Sequence, residues 1–237
     1  MKMKGAFHVV EVYICQLPKE KSQAKLGELL LKVPKERQKH IRRFYHLDDA
    51  YRTIIGDYLL DHVLKQRTGK TLKEITLKRN AYGKPYLPDY PFIQFNISHS
   101  GKYVVCAVHN QDVGIDIEEI QTFDLLLAKQ LFTVDEYQMI RNSNDRNHAC
   151  YEIWTMKESY TKAVGKGLVI PLDAICIRKH VGNLMEVGSS DEKELVTNFI
   201  CKQYAIHTDY KLAVCARMTG GNMFLEHPTE MYFDQLC

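Results

Sequence analysis

The 237-residue sequence contains no apolar run near the roughly 18–20 residues that a membrane-crossing helix requires. Stretches such as residues 103–108 stop far short, so no membrane association is expected. Lys2 and Lys4 open the chain, but His8 and Glu11 interrupt the apolar stretch that follows. With no small-residue cleavage pattern, a secretory signal peptide is not expected either. Cysteine is present but unpatterned: seven residues, at 15, 106, 150, 176, 201, 215 and 237, with no C-x-x-C pair. An odd, scattered set excludes a disulfide scaffold and a structural zinc site, and it points to reduced thiols in a cytoplasmic protein. There is no short-period repeat and no low-complexity tract. At 45% hydrophobic and 26% charged, the composition excludes a disordered, collagen-like or coiled-coil chain.

What is present is a charge asymmetry. Residues 1–105 hold 20 Lys and Arg against 10 Asp and Glu, a balance of +10, while residues 106–237 hold 12 against 19, a balance of −7. The net +3 conceals this division. A division of this kind is a sequence-level clue about ligands.

Periodicity predicts mixed elements. His8–Cys15 reads as a strand. Pro34 can open a helix over Glu36–Tyr45, with Ile41, Phe44 and Tyr45 as candidate buried positions. Asp48 or Asp49 can cap a longer helix in which Ile54, Ile55, Tyr58, Leu59, His62 and Val63 recur at helical spacing, ended by Gly69. Glu74–Lys78, Phe92–Ile97, Tyr103–His109 and Val113–Glu118 read as strands. Phe123–Leu131 reads as a helix, and Thr133 with Glu136 forms a capping-box pattern for the next one. Tyr151–Val164 is helical up to Gly165, and Ala174–Lys179, Thr197–His207 and Lys211–Arg217 read as strands. Helix-and-strand groups on either side of about residue 108 indicate two α+β halves packed together.

Four segments carry chemistry. In Val113-Gly-Ile-Asp-Ile-Glu118, strand alternation puts Asp116 and Glu118 on one face and Ile115 and Ile117 on the other. Paired carboxylates repel unless a cation joins them, and magnesium takes one or two carboxylates plus phosphate and water. An acidic solvent face on an edge strand is the simpler alternative. In Trp154-Thr-Met-Lys-Glu-Ser-Tyr-Thr-Lys162, Glu158 and Lys162 share a helix face, either as a surface ion pair or as a further metal ligand beside a phosphate-binding cation. Phe95-Asn-Ile-Ser-His-Ser-Gly101 leaves a strand with Ser98, His99 and Ser100 at its exit. It lacks the Gly-x-Ser-x-Gly elbow of a hydrolase, so these groups suit phosphate donors or a structural turn better than a nucleophile. Finally, Lys35, Arg37, Lys39, His40, Arg42 and Arg43, with Arg52 and Lys84, form a basic set. It is either a solvated face or a polyphosphate site. No nucleic-acid fold signature accompanies it, and no nucleic-acid partner is expected.

Together and in this order, these blocks resemble the phosphopantetheinyl transferases, in the longer monomeric type that serves peptide and polyketide synthetases. The resemblance rests on Arg42-Arg-Phe-Tyr-His46 with Asp49-Ala-Tyr-Arg52, Gly83-Lys-Pro85, and the segments 95–101, 113–118 and 154–162, with Gly165-Lys-Gly-Leu168. It implies an α+β fold of two similar α/β subdomains related by pseudo-twofold symmetry. They would span residues 1–108 and 109–237, with the active site at their interface. The implied reaction moves the 4′-phosphopantetheine arm of coenzyme A (CoA) onto a serine of an apo acyl- or peptidyl-carrier protein and releases adenosine 3′,5′-bisphosphate. A magnesium-dependent phosphodiester hydrolase of CoA-type nucleotides and a non-catalytic CoA-binding regulator are the alternatives.

The resemblance further implies Asp116, Glu118 and Glu158 as magnesium ligands, with Glu158 also able to take the serine proton directly or through water. Lys162 would steady a phosphate and the leaving oxygen. Ser98, His99, Arg52 and Lys84 would hold CoA, His99, Arg52 and Lys84 toward the nucleotide 3′-phosphate. Two positions that often carry lysine in the family are Arg37 and His40 here. Residues 119–136, with Phe123, Leu125, Leu126, Leu127, Leu131 and Phe132, divide between core and a patch for docking the carrier.

Overall fold

The computed structural model describes residues 9–189, 198–219 and 223–236. The predicted α+β class is what it shows. The first sheet contains β1 (Val9–Gln16). After α1 (Gln23–Leu30), α2 (Lys35–Ile41) and α3 (Leu47–Thr68), a short hairpin of β2 (Lys78–Arg79) and β3 (Pro85–Tyr86) leads to β4 (Gln94–Ser100) and β5 (Tyr103–His109). β1 pairs antiparallel with β5, which pairs antiparallel with β4. The second sheet begins with β6 (Val113–Glu119), followed by α4 (Leu125–Leu131), α5 (Val134–Asn142) and α6 (Arg146–Val164). It is completed by β7 (Ile175–Lys179), β8 (Leu184–Ser189), β9 (Phe199–Tyr204) and β10 (Tyr210–Arg217), in the order β6-β10-β9-β8-β7. The chain then returns to the first sheet: β11 (Met223–Phe224) and β12 (Thr229–Met231) both pair parallel with β1, and α7 (Phe233–Leu236) packs near α3. Residues 223–231 therefore extend the first sheet although they follow the second in sequence.

Strand alternation sorts the cores. Tyr13 and Cys15 of β1 and Val104, Cys106 and Val108 of β5 face Tyr51, Ile54, Ile55, Tyr58 and Leu59 of α3. Their neighbours Val10, Val12, Ile14, Val105 and Ala107 meet Val113, Ile115 and Ile117 of β6 and Leu212, Val214 and Ala216 of β10. On the far side of the second sheet, Ala213 and Cys215 meet Met156, Tyr160 and Ala163 of α6. The result is helix, sheet, sheet, helix. Fully burying each of the Val, Leu, Ile and Met side chains among them contributes about 1.5–3 kcal/mol.

Most predicted elements are present with ends shifted by a few residues. The capping box at Thr133 and Glu136 is formed, and Gly69 and Gly165 end α3 and α6 with the positive φ that glycine tolerates best. Three expectations fail. The helix over 36–45 stops at Ile41, which is buried, while Tyr45 is 93% exposed and Phe44 lies at the surface. The strand over 74–78 is replaced by a 3-10 turn at Leu72–Glu74 with its own Thr71/Glu74 capping box, and only Lys78–Arg79 is a strand. The cap of α3 is His46, so Asp48 and Asp49 fall in the first helical turn, where carboxylates complement the helix dipole. The sequence does not signal α1, β3, β8, β11, β12 or α7. His8 and Thr197, at the ends of two predicted strands, lie outside the described residues.

One contact fixes how α6 sits on β6. A Cβ placed on Gly114 would lie 2.0 Å from the Ser159 carbonyl oxygen and 2.4 Å from the Ala163 amide nitrogen. Both are backbone atoms, so a side chain there must push helix and strand apart. Gly114→Ala is expected to cost about 1–3 kcal/mol through overpacking. Gly27→Ala, in α1 with nothing within 4 Å, is expected to stabilise by about 0.5–1 kcal/mol as an ordinary helix substitution. Urea midpoints of the two variants against the parent protein measure the contrast.

Candidate active site

β6 is an edge strand of the second sheet, paired only with β10. Its outward amides would be unsatisfied without another partner. β4 supplies them. The Ile115 amide donates to Asn96 Oδ1 at 3.0 Å, the Ile117 amide to Ser98 Oγ at 3.5 Å and the Glu119 amide to Ser100 Oγ at 3.0 Å. Residues 96, 98 and 100 project alike from β4 because of the two-residue period, so the edges of the two sheets are laced together. Phe95, Ile97 and His99 project the other way, toward α3.

The lacing holds the acidic residues where α6 can reach them. Ile115 and Ile117 are buried between the sheets, and Asp116 and Glu118 take the opposite face as predicted. Asp116 is 2% exposed. Its Oδ1 accepts from Lys162 Nζ at 2.5 Å and from Ser98 Oγ at 3.1 Å, and Lys162 Nζ also donates to Ser98 Oγ at 3.1 Å. Lys162 thus reaches across to β6 rather than pairing with Glu158 on its own helix. Glu118 Oε2 accepts from Ser100 Oγ at 2.9 Å.

The electrostatics are those of crowded carboxylates. Burial raises the Asp116 carboxyl against the lowering effects of Lys162 and Ser98. Burial, then the Asp116 charge, pushes Glu118 up to about 7, with Glu158 adding to the rise. Burial and Asp116 likewise raise Glu158. Asp116 Oδ2 and Glu158 Oε1 are buried and accept no hydrogen bond. An orphaned anionic oxygen on each of two facing elements, with a third carboxylate alongside, fits a hard divalent cation. Among the described residues, no three His, Cys, Asp or Glu side chains form a ready-made metal cage. Magnesium does not need one, because it usually keeps several waters and takes substrate phosphate oxygens.

A cavity of about 310 Å³ opens on the other face of β4. Arg37, His40, Arg52, Arg79 and His99 line it, with Phe44, Thr53 and Asp57. Arg52 donates to the Gly101 carbonyl at 2.6 Å and pairs with Asp49 at 2.7 Å. The atoms packed around His99, then the Arg52 charge, hold its imidazole below the usual value, so it is neutral at pH 7. The site residues read from the sequence therefore fall into two neighbouring groups. Asp116, Glu118, Glu158, Lys162 and Ser98 lie on one side of β4, and Arg37, His40, Arg52 and His99 on the other.

Two partners were not singled out from the sequence. Asp57 of α3 is bound by the Arg37 guanidinium through Nε and Nη2. Lys157, fully buried beside Glu158 in sequence, donates to Glu136 Oε2 at 2.5 Å and to the Leu172 carbonyl at 2.8 Å, which ties α5 to α6. A Lys-Glu pair this far apart in sequence carries no local signal.

Lys84 stands apart from both groups. It is half-buried, and its Nζ donates to the carbonyls of Ala163 at 2.8 Å and Val113 at 3.2 Å, while Asn80 Nδ2 donates to the Gly165 carbonyl at 2.9 Å. The β2–β3 hairpin thereby supplies donors to the last carbonyls of α6, which a helix leaves unsatisfied. Burial lowers Lys84 from 10.5 to about 8, with Asp112 partly opposing. Below pH 8 both folded and unfolded chains hold this proton. Between about 8 and 10.5 the folded chain has shed it and the unfolded chain has not, so stability from this group rises with pH. The urea midpoint of the parent relative to Lys84→Met is expected to shift in the parent's favour from pH 7.5 to pH 9.5, and a constant gap would contradict the burial of the ammonium.

Residues 20–111 match the family model for the N-terminal part of 4′-phosphopantetheinyl transferase, and residues 112–215 match that of the 4′-phosphopantetheinyl transferase superfamily. The chain is 34% identical over 209 residues to 4′-phosphopantetheinyl transferase Sfp of Bacillus subtilis, covering 87% of this chain and 92% of the relative. It is 35% identical over 232 residues to 4′-phosphopantetheinyl transferase gsp of Aneurinibacillus migulanus, covering 97% and 94%. A solved holo-[acyl-carrier-protein] synthase from Neisseria meningitidis matches 46% of this chain and 98% of its own length, at 18% identity and a TM-score of 0.39. The assignment rests on the sequence relatives and the two family models: the chain belongs to the 4′-phosphopantetheinyl transferase superfamily, in its long, Sfp-like form.

Proposed function

We propose that this protein transfers 4′-phosphopantetheine from CoA to the serine hydroxyl of an apo acyl- or peptidyl-carrier protein. The observation that carries this reading is the meeting of Asp116 and Lys162, from β6 and α6, with Glu118 and Glu158 beside them and two buried carboxylate oxygens left without donors. In the balanced reaction the serine oxygen bonds to the β-phosphorus. The bond from that phosphorus to the bridging oxygen breaks, and adenosine 3′,5′-bisphosphate leaves. Such transfers depend on positioning and charge neutralisation more than on covalent help.

Asp116, Glu118 and Glu158 would hold magnesium. When bound there it supplies charge neutralisation to the diphosphate. Lys162 steadies a phosphate oxygen and the developing charge on the leaving group, and Ser98 orients both Lys162 and Asp116. Glu158 takes the serine proton, directly or through water. His99, Arg52, Arg37 and His40 face the 3′-phosphate end of CoA across β4. Lys84 assists that end by fixing the hairpin beside it.

The carrier docks on the segment that follows β6. Ala128 and Phe132 are buried there, and Phe123, Leu125 and Leu131 pack partly against the core, but Leu126 is 73% and Leu127 44% exposed. The anchor between Lys157 and Glu136 keeps this segment in register with Glu158. Two residue blocks, about 1–108 and 109–237, serve as the nucleotide and the metal-and-carrier halves, with residues 223–236 of the second block packed onto the first sheet. The protein works as a cytoplasmic monomer. What bears on the location is that no helix among the described residues is long and apolar enough to cross a membrane.

Intact-mass spectrometry of an apo-carrier mixed with CoA, magnesium and the protein is expected to show gain of the phosphopantetheine mass. Asp116→Ala is expected to lower the rate by at least about 100-fold, the scale for removing a charge-stabilising group. No gain with several carriers refutes the reading, and CoA cleavage without any carrier indicates a hydrolase instead. Replacing Leu126 and Leu127 with serine is expected to raise KM for the carrier about 3–10-fold, the range for losing apolar anchors, with KM for CoA unchanged. An equal change in both constants removes the docking role.

A further inference from the structure

Asp57 is out of place by ordinary rules. It sits in the middle of α3 at 4% exposure, in a cavity that otherwise collects cations and imidazoles and that the proposed reaction fills with a phosphate. A buried carboxylate is costly to keep, and it repels the anion the cavity is built for. Among the described residues its one ion pair is with Arg37, whose Nη2 lies 2.7 Å from Oδ1 while Nε lies 2.9 Å from Oδ2 and 3.1 Å from Oδ1. That two-pronged arrangement fixes the plane of the guanidinium as well as its position, and it leaves Nη1 outside the pair.

The surroundings explain why an outside clamp is needed. α2 has seven residues, and Ile41 is its one buried side chain. Apolar packing alone therefore anchors α2 weakly, and with it both Arg37 and His40. The clamp from α3 supplies the second fixed point. His40 packs edge-on against Phe44, with ring centroids 5.3 Å apart, so fixing α2 also fixes the imidazole's setting.

We propose that Asp57 is a positioning residue that holds the Arg37 guanidinium rigidly toward the basic cavity and thereby lets the enzyme distinguish CoA from analogues that lack the 3′-phosphate. This rests on the transferase reading above and assigns a specificity role to a residue that touches no substrate. Arg37 then acts by geometry as well as charge, so a lysine at position 37, with equal charge but no fork, is a poor substitute.

The test compares carrier modification from CoA and from 3′-dephospho-CoA by the parent protein, Asp57→Asn and Arg37→Lys. For Asp57→Asn, KM for CoA is expected to rise about 10-fold, the scale of one lost charge-assisted contact, with kcat and KM for 3′-dephospho-CoA within about 2-fold of the parent. Arg37→Lys is expected to raise KM for CoA by a larger factor than KM for 3′-dephospho-CoA, and it decides the matter if Asp57→Asn fails to fold. Equal losses on both donors, or an Arg37→Lys variant that keeps the parent's preference for CoA, overturns the positioning role. If the parent protein modifies no carrier from either donor, the transferase reading itself has failed, an outcome distinct from an active enzyme that draws no distinction.

Discussion

The architecture depends on one constraint, the open edge of β6. A strand paired on one side only must satisfy its remaining amides, and here three side chains of β4 do so. That solution determines much else. It ties the two sheets along one edge, and it places Ser98 between Asp116 and Lys162. It also turns the alternate residues of β4, His99 included, toward the basic cavity. On the other face of β6, Gly114 lets α6 approach to backbone contact, so Glu158 and Lys162 arrive within reach of the strand's carboxylates. Neither the acidic cluster nor the basic cavity needs a flexible loop to form it.

Buried like charges are retained here against stability. Burial raises all three carboxylates, repulsion from Asp116 adds to the rise of Glu118 and Glu158, and among the described residues Lys162 is the ammonium in contact with the cluster, at Asp116. A structure selected for stability alone would replace some of them with apolar groups, often at no loss. Their retention is the signature of a site whose charge balance is completed by what binds. The pairing between Lys157 and Glu136 differs in kind. There each charge has its partner and the ammonium has a carbonyl as well, so the pair serves to dock one helix on another.

Much of this was legible in the sequence where the signal is local. Alternation in 113–118 places Asp116 and Glu118 on one face, helical spacing puts Glu158 and Lys162 on one side of α6, and glycines mark the ends of α3 and α6. Signals failed where tertiary contacts decide. Phe44 and Tyr45 continue an apolar pattern, yet α2 ends before them and they face outward. The family resemblance makes Lys84 a ligand for the nucleotide end of CoA, and the contacts that its ammonium makes here, to carbonyls at the end of α6 and at Val113, have no local sequence signal. Asp57 carries no sequence signal, because a carboxylate within an apolar helix face is recognisable only once Arg37 is seen beside it. The charge division was informative for a related reason: the basic cavity is built from the first half of the chain and the acidic cluster largely from the second.

The return of β11 and β12 to β1 has a bearing on how the chain reaches this state. β1 is the first described strand, and its second flank is filled by residues more than 200 positions later. During synthesis the first sheet must wait, with a hydrogen-bonding edge exposed, until β11 and β12 have emerged. Pairings of such sequence separation are slow to form, and an unfinished edge invites wrong partners in the meantime. The second sheet, whose strands are closer together in the chain, can close earlier. The first sheet is therefore completed after the second, and a nascent chain halted between β10 and β11 would present a finished metal-side layer beside an incomplete nucleotide-side one.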